Sequence, residues 1–172
     1  MSEWTMLTLV GRDQEGIVAA VTAVLHKEGC QLGETSMMRL GGNFSMMLML
    51  SCGAEVAVLE ALSEVAEQFE LRLHLDQIEA QLHDHRQANV RVTVHGADRI
   101  GLVAEVTAVL AAGGLSVLDL CSDVAGSADK PLYLLQIEGV CELSAEALQL
   151  ALRAALDEDV QFSVDEIETL LG

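Results

Sequence analysis

The fold is decided by VGRDQEGIVAAVTAVL at Val10–Leu25, which returns without a gap as HGADRIGLVAEVTAVL at His95–Leu110. In both copies a β-prone run leads to an Asp, a Gly follows three residues later, and apolar residues then recur at helical spacing. Each copy therefore predicts a strand that passes through a short turn into a helix. The duplication indicates two small domains of the same fold, which we place at residues 1–80 and 90–172 with a linker at residues 81–89.

The flanking segments predict the element order β-α-β-β-α-β in each half. Gly-Gly-Asn at residues 41–43 predicts a tight hairpin between the central strands of the first half, whereas Ala125–Pro131 predicts a longer loop in the second. Asp13 and Ser144 stand where they can cap the helices that follow them. The predicted strands are 4–10, 31–40, 44–52, 71–76, 90–94, 115–124, 132–139 and 160–164, and the helices are 17–25, 54–69, 102–112 and one after Ser144. The predicted fold class is α+β, with two tandem ferredoxin-like domains and antiparallel sheets.

The charge balance excludes some classes of function. The chain has 27 acidic and 9 basic residues, a formal net charge of −18, and only 3% aromatic residues. Affinity for nucleic acid depends on Lys and Arg that neutralise phosphates, and single strands also need aromatic platforms, so we expect no direct contact with nucleic acid. No apolar run is long enough to span a bilayer, and the N-terminus does not resemble a signal peptide. We therefore expect no membrane association and a cytoplasmic location.

The cysteines and the paired histidines are expected to carry no chemistry. The cysteines are dispersed without a CxxC pair and are interpreted as free thiols of a reducing compartment, with disulfides or a metal site as the alternatives. They are Cys30, Cys52, Cys121 and Cys141. His83-Asp84-His85 has no third metal ligand nearby and is expected to be solvated. We expect no metal, no cofactor and no catalytic residue.

The central strand Phe44–Cys52 has apolar residues on both of its faces. A domain with two helices on one side of a sheet covers one face only, so the other face needs a second partner. We therefore expect the two repeats, or two chains, to pack sheet against sheet or edge against edge, and we expect a homodimer.

The two turns, Gly11–Gly16 and Gly96–Gly101, are the candidate binding sites. A helix start presents unpaired N–H groups and a partial positive charge, which suit a carboxylate, and a nearby Asp can pair with an ammonium group. A zwitterionic amino acid would have both of its charges matched. In the alternative interpretation, the two Asp residues cap the helices and the two Gly residues relieve crowding.

The β-α-β-β-α-β unit, the Asp-x-x-Gly-Ile/Leu-Val turn and the Gly-x-x-Leu/Val opening of the second strand resemble the ACT domain, over nearly the whole chain. ACT domains are small-molecule sensors, most often for amino acids. The resemblance implies a non-catalytic regulatory protein that binds a small amino acid, with glycine as the first candidate. It also implies that the protein modulates a DNA-binding transcription regulator through protein–protein contact.

By this resemblance, ligand-binding residues lie in both turns and at the start of the second strand of each half, where the family often has Asn. They are Asp13, Gln14, Glu15, Gly16, Ile17 and Gln31 in the first half, and Asp98, Arg99, Ile100, Gly101, Leu102 and Ser116 in the second. The family turn usually reads Asp-Arg-Pro-Gly. The second turn keeps the Arg and the first does not, so the second turn is the first candidate.

Two other functions stay open. The departures from the family turn fit an interaction module whose ligand pocket has decayed. Ferredoxin-like scaffolds also host small enzymes, although this chain has few basic residues and no evident pair of nucleophile and base.

Overall fold

The computed structural model describes residues 4–53, 56–78, 86–97, 100–127 and 130–167. The chain divides into two compact units, residues 1–83 and 84–172. The linker at residues 81–89 stays a prediction, and His83-Asp84-His85 lies outside the described residues.

The first unit is a four-stranded antiparallel sheet with the strand order β2-β3-β1-β4. Its elements are β1 (Trp4–Arg12), α1 (Ile17–Lys27), β2 (Gln31–Leu40), β3 (Asn43–Ser51), α2 (Val58–Ala61), α3 (Ser63–Gln68) and β4 (Arg72–Ile78). Strand β2 is at the edge of the sheet, and all of its residues are exposed. The predicted order of elements is confirmed.

The second unit repeats this arrangement with the strand order β6-β7-β5-β8. Its elements are β5 (Val90–Ala97), α4 (Leu102–Ala112), β6 (Ser116–Ser127), β7 (Lys130–Val140), α5 (Ala145–Ala155) and β8 (Gln161–Glu166). The fold class is therefore α+β with two tandem ferredoxin-like units and antiparallel sheets, as predicted.

Each unit buries the apolar stripe of its first helix against alternate residues of its central strands. In the first unit, Ile17, Val21 and Leu25 of α1 are at most 1% exposed. They share a core cluster with fully buried leucines of β1 and β3, namely Leu7, Leu9, Leu48 and Leu50. In the second unit, Leu102, Val106 and Leu110 of α4 pack in the same way. These stripes hold the start of each helix against the end of the preceding strand.

Two details of the elements differ from the prediction. The helix expected at residues 54–69 is broken at Leu62 into α2 and α3, where the Ser63 hydroxyl donates to the Glu60 carbonyl at 2.7 Å and competes with helical bonding. The prediction of a long loop at Ala125–Pro131 is wrong, because β6 runs to Ser127 and β7 begins at Lys130. The pairing of β7 with β5 begins at Leu132, one residue after Pro131. Pro131 therefore removes no hydrogen bond between β7 and β5.

The interpretation of all four cysteines as free thiols is also wrong. Cys30 precedes β2 and Cys52 follows β3, and a disulfide joins them across the base of the hairpin, next to the pair Gln31↔Ser51. Cys121 and Cys141 are free, as expected.

Candidate functional site

The candidate site of the first unit is built around the start of α1. Gly16 is the N-cap residue and has a φ of 90°, a left-handed conformation that L side chains rarely adopt. Its carbonyl accepts the first helical bond, from the Ala20 N–H at 2.9 Å. The N–H groups of the first helical turn have no acceptor within the helix. The N-terminus of α1 therefore carries a partial positive charge that faces the preceding turn.

A cavity of about 520 Å³ lies at this helix end. Its lining combines the turn before α1, the first turn of α1 and the facing end of the β2–β3 hairpin. The lining residues are Asp13, Gln14, Glu15, Gly16, Ile17, Val18, Ala19, Met37, Arg39 and Phe44. Its volume falls within the range of small-molecule sites. Five of the six residues predicted for the first half are thus brought together.

Arg39 places a cation in this cavity that sequence reasoning did not predict. It pairs with Phe44 in the β2–β3 register, and Phe44 is buried, so both side chains lie on the face of the sheet that carries α1. The guanidinium group forms an ion pair with the Asp13 carboxylate. The Arg39 side chain remains 69% exposed, and that of Asp13 is 23% exposed.

This ion pair corrects the expectation that Asp13 caps α1. The N-cap is Gly16, which forms no side-chain cap bond, and Asp13 lies three residues upstream of it. The left-handed turn at Gly16 separates the Asp from the helix end, and Arg39 becomes its partner instead. The prediction for Ser144 is confirmed, because its side chain accepts from the Ala147 N–H at 3.3 Å.

Two further hydrogen bonds fix the turn before α1. The Asp13 N–H donates to the Gly42 carbonyl at the hairpin tip, at 3.1 Å. The Gln14 side chain donates from Nε2 to the Phe69 carbonyl at the end of α3, also at 3.1 Å. The turn, the hairpin tip and the end of α3 are therefore linked, and Gln14 has a structural task as well as a place in the cavity lining.

Three predicted residues have roles different from those expected. The side chains of Ile17 and Leu102 are core residues, 1% and 2% exposed, so only their backbone groups are available to a ligand. Gln31 is exposed but lies at the base of β2, eight residues from Arg39 and so about 26 Å along the strand. The structure does not bring Gln31 to the cavity of its own unit.

The second turn is described in part. Asp98 and Arg99 lie outside the described residues, whereas Ile100 is fully exposed. Gly101 is the N-cap of α4, with a φ of 97°, so the left-handed turn is repeated. Ser116 is exposed at the base of β6, in the place that corresponds to Gln31.

The geometry can be compared with known proteins. The family model of the ACT domain matches residues 4–76. The first ACT-type unit is thus recognised by sequence, and the second shares its element and strand order. No curated protein matches the chain significantly.

Two solved structures match this chain over nearly its whole length. One is an unknown protein from Galdieria sulphuraria, with a TM-score of 0.75, 22% identity, and coverage of 96% of this chain and 99% of that chain. The other, provisionally named as a glycine cleavage system transcriptional repressor, has a TM-score of 0.67, 19% identity, and coverage of 97% and 98%. These similarities establish the tandem fold alone.

A formyltetrahydrofolate deformylase from Burkholderia mallei matches less of this chain. It has a TM-score of 0.41 and 20% identity, and it covers 44% of this chain and 28% of that chain. Its similarity carries no argument about activity. Within the described ranges, no group of three His, Cys, Asp or Glu side chains could hold a metal ion, and no helix is long and apolar enough to cross a membrane.

Proposed function

We propose that the protein is a non-catalytic regulatory protein that senses a small amino acid in the cavity of its first unit. The signal would pass to a DNA-binding transcription regulator through protein–protein contact. The observation that carries the proposal is the meeting of the α1 start, Arg39 and Glu15 at one cavity. A zwitterion needs a positive and a negative partner within a few ångströms, and this cavity has both.

The carboxylate of the ligand would be bound by the first turn of α1 together with Arg39. A guanidinium group has five N–H donors, so Arg39 can hold Asp13 and a second carboxylate at the same time. The ammonium group of the ligand would face Glu15, which is exposed at the cavity, and the Asp13 oxygens. We therefore propose the first turn as the primary candidate site, in place of the second.

Glycine is the first ligand to test, because the tandem fold is similar to the protein provisionally named as a glycine cleavage system repressor. The formal charge of −18 suits a basic protein surface as the partner and does not suit operator DNA. We also propose a homodimer, as the apolar outer residues of β3 suggest.

Ligand binding would act by a shift between conformations. The cavity is lined from two sides, by the turn before α1 and by the edge strand β2, so a bound zwitterion would hold these parts together. A ligand shifts an equilibrium by its difference in affinity for the two states. The partner would then bind one of the two states more tightly.

Calorimetry with a panel of amino acids, glycine first, tests the proposal. We expect binding at millimolar concentration or below and at least about tenfold weaker binding by Arg39→Gln, because a charge-assisted hydrogen bond contributes roughly 1.5–3 kcal/mol. Val124→Gln is the matched control, since Val124 has the corresponding position on β6 and is exposed. It should bind the ligand like the wild type.

If no amino acid in the panel binds, the sensing function is wrong. Partner binding that no metabolite alters would then support an interaction module with a decayed pocket. Equal loss of affinity in the Arg39 and Val124 variants would also contradict the assignment of the site.

A further inference from the structure

We propose that the Cys30–Cys52 disulfide is a thiol–disulfide switch that sets ligand affinity at the cavity of the first unit. The proposal rests on the proposed amino-acid site and adds a second input to it. It starts from the position of the bond, which closes the β2–β3 hairpin at its base.

The disulfide matters because β2 pairs with one strand only. Strand β2 is an edge strand with exposed residues throughout, so it is held mainly by its ladder with β3. That ladder is interrupted by a bulge between Leu32 and Thr35. Between the bulge and the base, two residue pairs remain, Gln31↔Ser51 and Leu32↔Leu50. The disulfide therefore restrains the base of the hairpin, together with these two pairs and the hydrogen bond from the Cys30 N–H to the Leu25 carbonyl at 2.9 Å.

The other end of the same hairpin forms one wall of the cavity. Met37, Arg39 and Phe44 line it, and the hairpin tip receives the Asp13 N–H at the Gly42 carbonyl. We expect a loosened base of β2 to reach Arg39 through the six ladder pairs between Thr35 and Leu40, and so to change the position of Arg39 relative to the start of α1. Since Arg39 is the cation proposed to bind the ligand carboxylate, looser β2 pairing should weaken binding.

The bond is accessible to small thiols. Cys52 is partly exposed, and the adjacent Gly53 is exposed with open space where a side chain would be. In the cytoplasmic location expected from the sequence, a disulfide is usually redox-sensing or catalytic and seldom a permanent structural bond. Cys30 is 9% exposed, so the first attack is expected at the Cys52 sulfur.

The exchange is balanced with two molecules of a small thiol. The first thiolate attacks Cys52 Sγ, the bond to Cys30 Sγ breaks, and the Cys30 thiolate takes up a proton. The second thiolate attacks the outer sulfur of the mixed disulfide and releases Cys52 as a thiol. The protein disulfide is reduced to two thiols, and the two small thiols are oxidised to one disulfide.

The test uses the full chain, oxidised and then reduced with dithiothreitol. Thiol titration of the unfolded protein should find two thiols before reduction and four afterwards, since two of the four cysteines are free. Calorimetry should show glycine affinity about fivefold lower in the reduced protein. The double variant C30S/C52S should match the reduced wild type and ignore the reductant, whereas C121S should respond like the wild type.

A second measurement needs no ligand. Hydrogen exchange of the Met37–Leu40 amides should become about tenfold faster on reduction and return to its original rate on reoxidation. Unchanged exchange, or four thiols in the oxidised protein, would overturn the switch. If exchange responds but no amino acid binds in either state, the switch in β2 stands and the ligand proposal fails.

Discussion

The two units share a turn sequence but differ in where they place a positive charge. The first turn has Gln14 and obtains its cation from Arg39 on the neighbouring edge strand. The second turn has Arg99 in its sequence, and the position that corresponds to Arg39 is the exposed Val124. Loss of a basic residue from a motif therefore need not remove the positive charge from a site, because an adjacent strand can supply it.

The outer faces of the two sheets differ as well. Met47 pairs with Thr8 and lies on the outer face of the first sheet, where it is 47% exposed and next to Met6 and Met49. The matching residue of the second sheet is Gln136, which pairs with Thr93. The outer face of that sheet is polar and includes an ion pair between Arg91 and Glu138 at 2.8 Å. One duplicated fold thus has an apolar outer face in one copy and a polar face in the other.

The largest effect is expected from substitutions at the glycines of the two turns. Gly16→Val and Gly101→Val force a β-branched residue into a left-handed conformation, which costs about 1–3 kcal/mol of stability in the affected unit. Both sites have room for a Cβ atom, so the cost is conformational. Gly16→Val should also weaken glycine binding at least tenfold, whereas Gly101→Val should not. Hydrogen exchange of each unit and calorimetry provide the two measurements.

Gly29→Val is the control within the same unit. Gly29 has a φ of 72° and lies at the other end of α1, so it is strained similarly but is remote from the cavity. It should lower stability and leave glycine affinity unchanged. A larger loss of binding in the Gly101 variant would place the working site at the second turn.

A smaller effect tests the contrast between the outer faces. Met47→Glu adds a charge to the apolar face and should weaken the homodimer about tenfold, because burying an unpaired charge is unfavourable. Gln136→Glu adds the same charge at the matching position of the polar face and should leave association unchanged. Light scattering over a range of concentrations checks both variants. A light-scattering mass of the wild type equal to one chain would contradict the homodimer proposal.

Much of the fold was predictable because local chemistry determines it. The bounds of β2 and α4 agree with the prediction, since glycines end the preceding helix in one case and begin the helix in the other. The Arg39–Asp13 pair was not predictable from the turn alone. It depends on the register of β2 with β3, which places Arg39 on the face that carries α1. Without that register, Arg39 is typical of a solvated residue on an edge strand.

The disulfide was missed for a similar reason. The four cysteines are widely spaced along the chain, whereas Cys30 and Cys52 are brought together by the hairpin. Counting outward from the turn at residues 41–42 along both predicted strands leads to these two positions, with one residue of offset for the bulge. The position of the turn therefore predicts that Cys30 and Cys52 lie opposite each other at the base of the hairpin.

The smallest effect concerns the free cysteine on the outer face of the second sheet. Cys121 Sγ donates to Asp119 Oδ2 at 3.5 Å, and this hydrogen bond, reinforced by the charge of the same carboxylate, raises the pKa of the Cys121 thiol. A raised pKa lowers the fraction of thiolate at any pH below it. Asp119→Asn should therefore lower the pKa and increase the alkylation rate by iodoacetamide near neutral pH about threefold, because the thiolate is the reactive form.

Asp123→Asn is the matched control for this last prediction. Asp123 lies two residues after Cys121 on β6, as Asp119 lies two residues before it. The Asp123 carboxylate accepts from the Val124 N–H at 2.8 Å. It is not among the groups that raise the pKa of Cys121, so the alkylation rate should stay close to that of the wild type. Equal rates in both variants would show that Asp119 does not govern this thiol. The first unit would still differ, because its two cysteines do not react with iodoacetamide while they are joined.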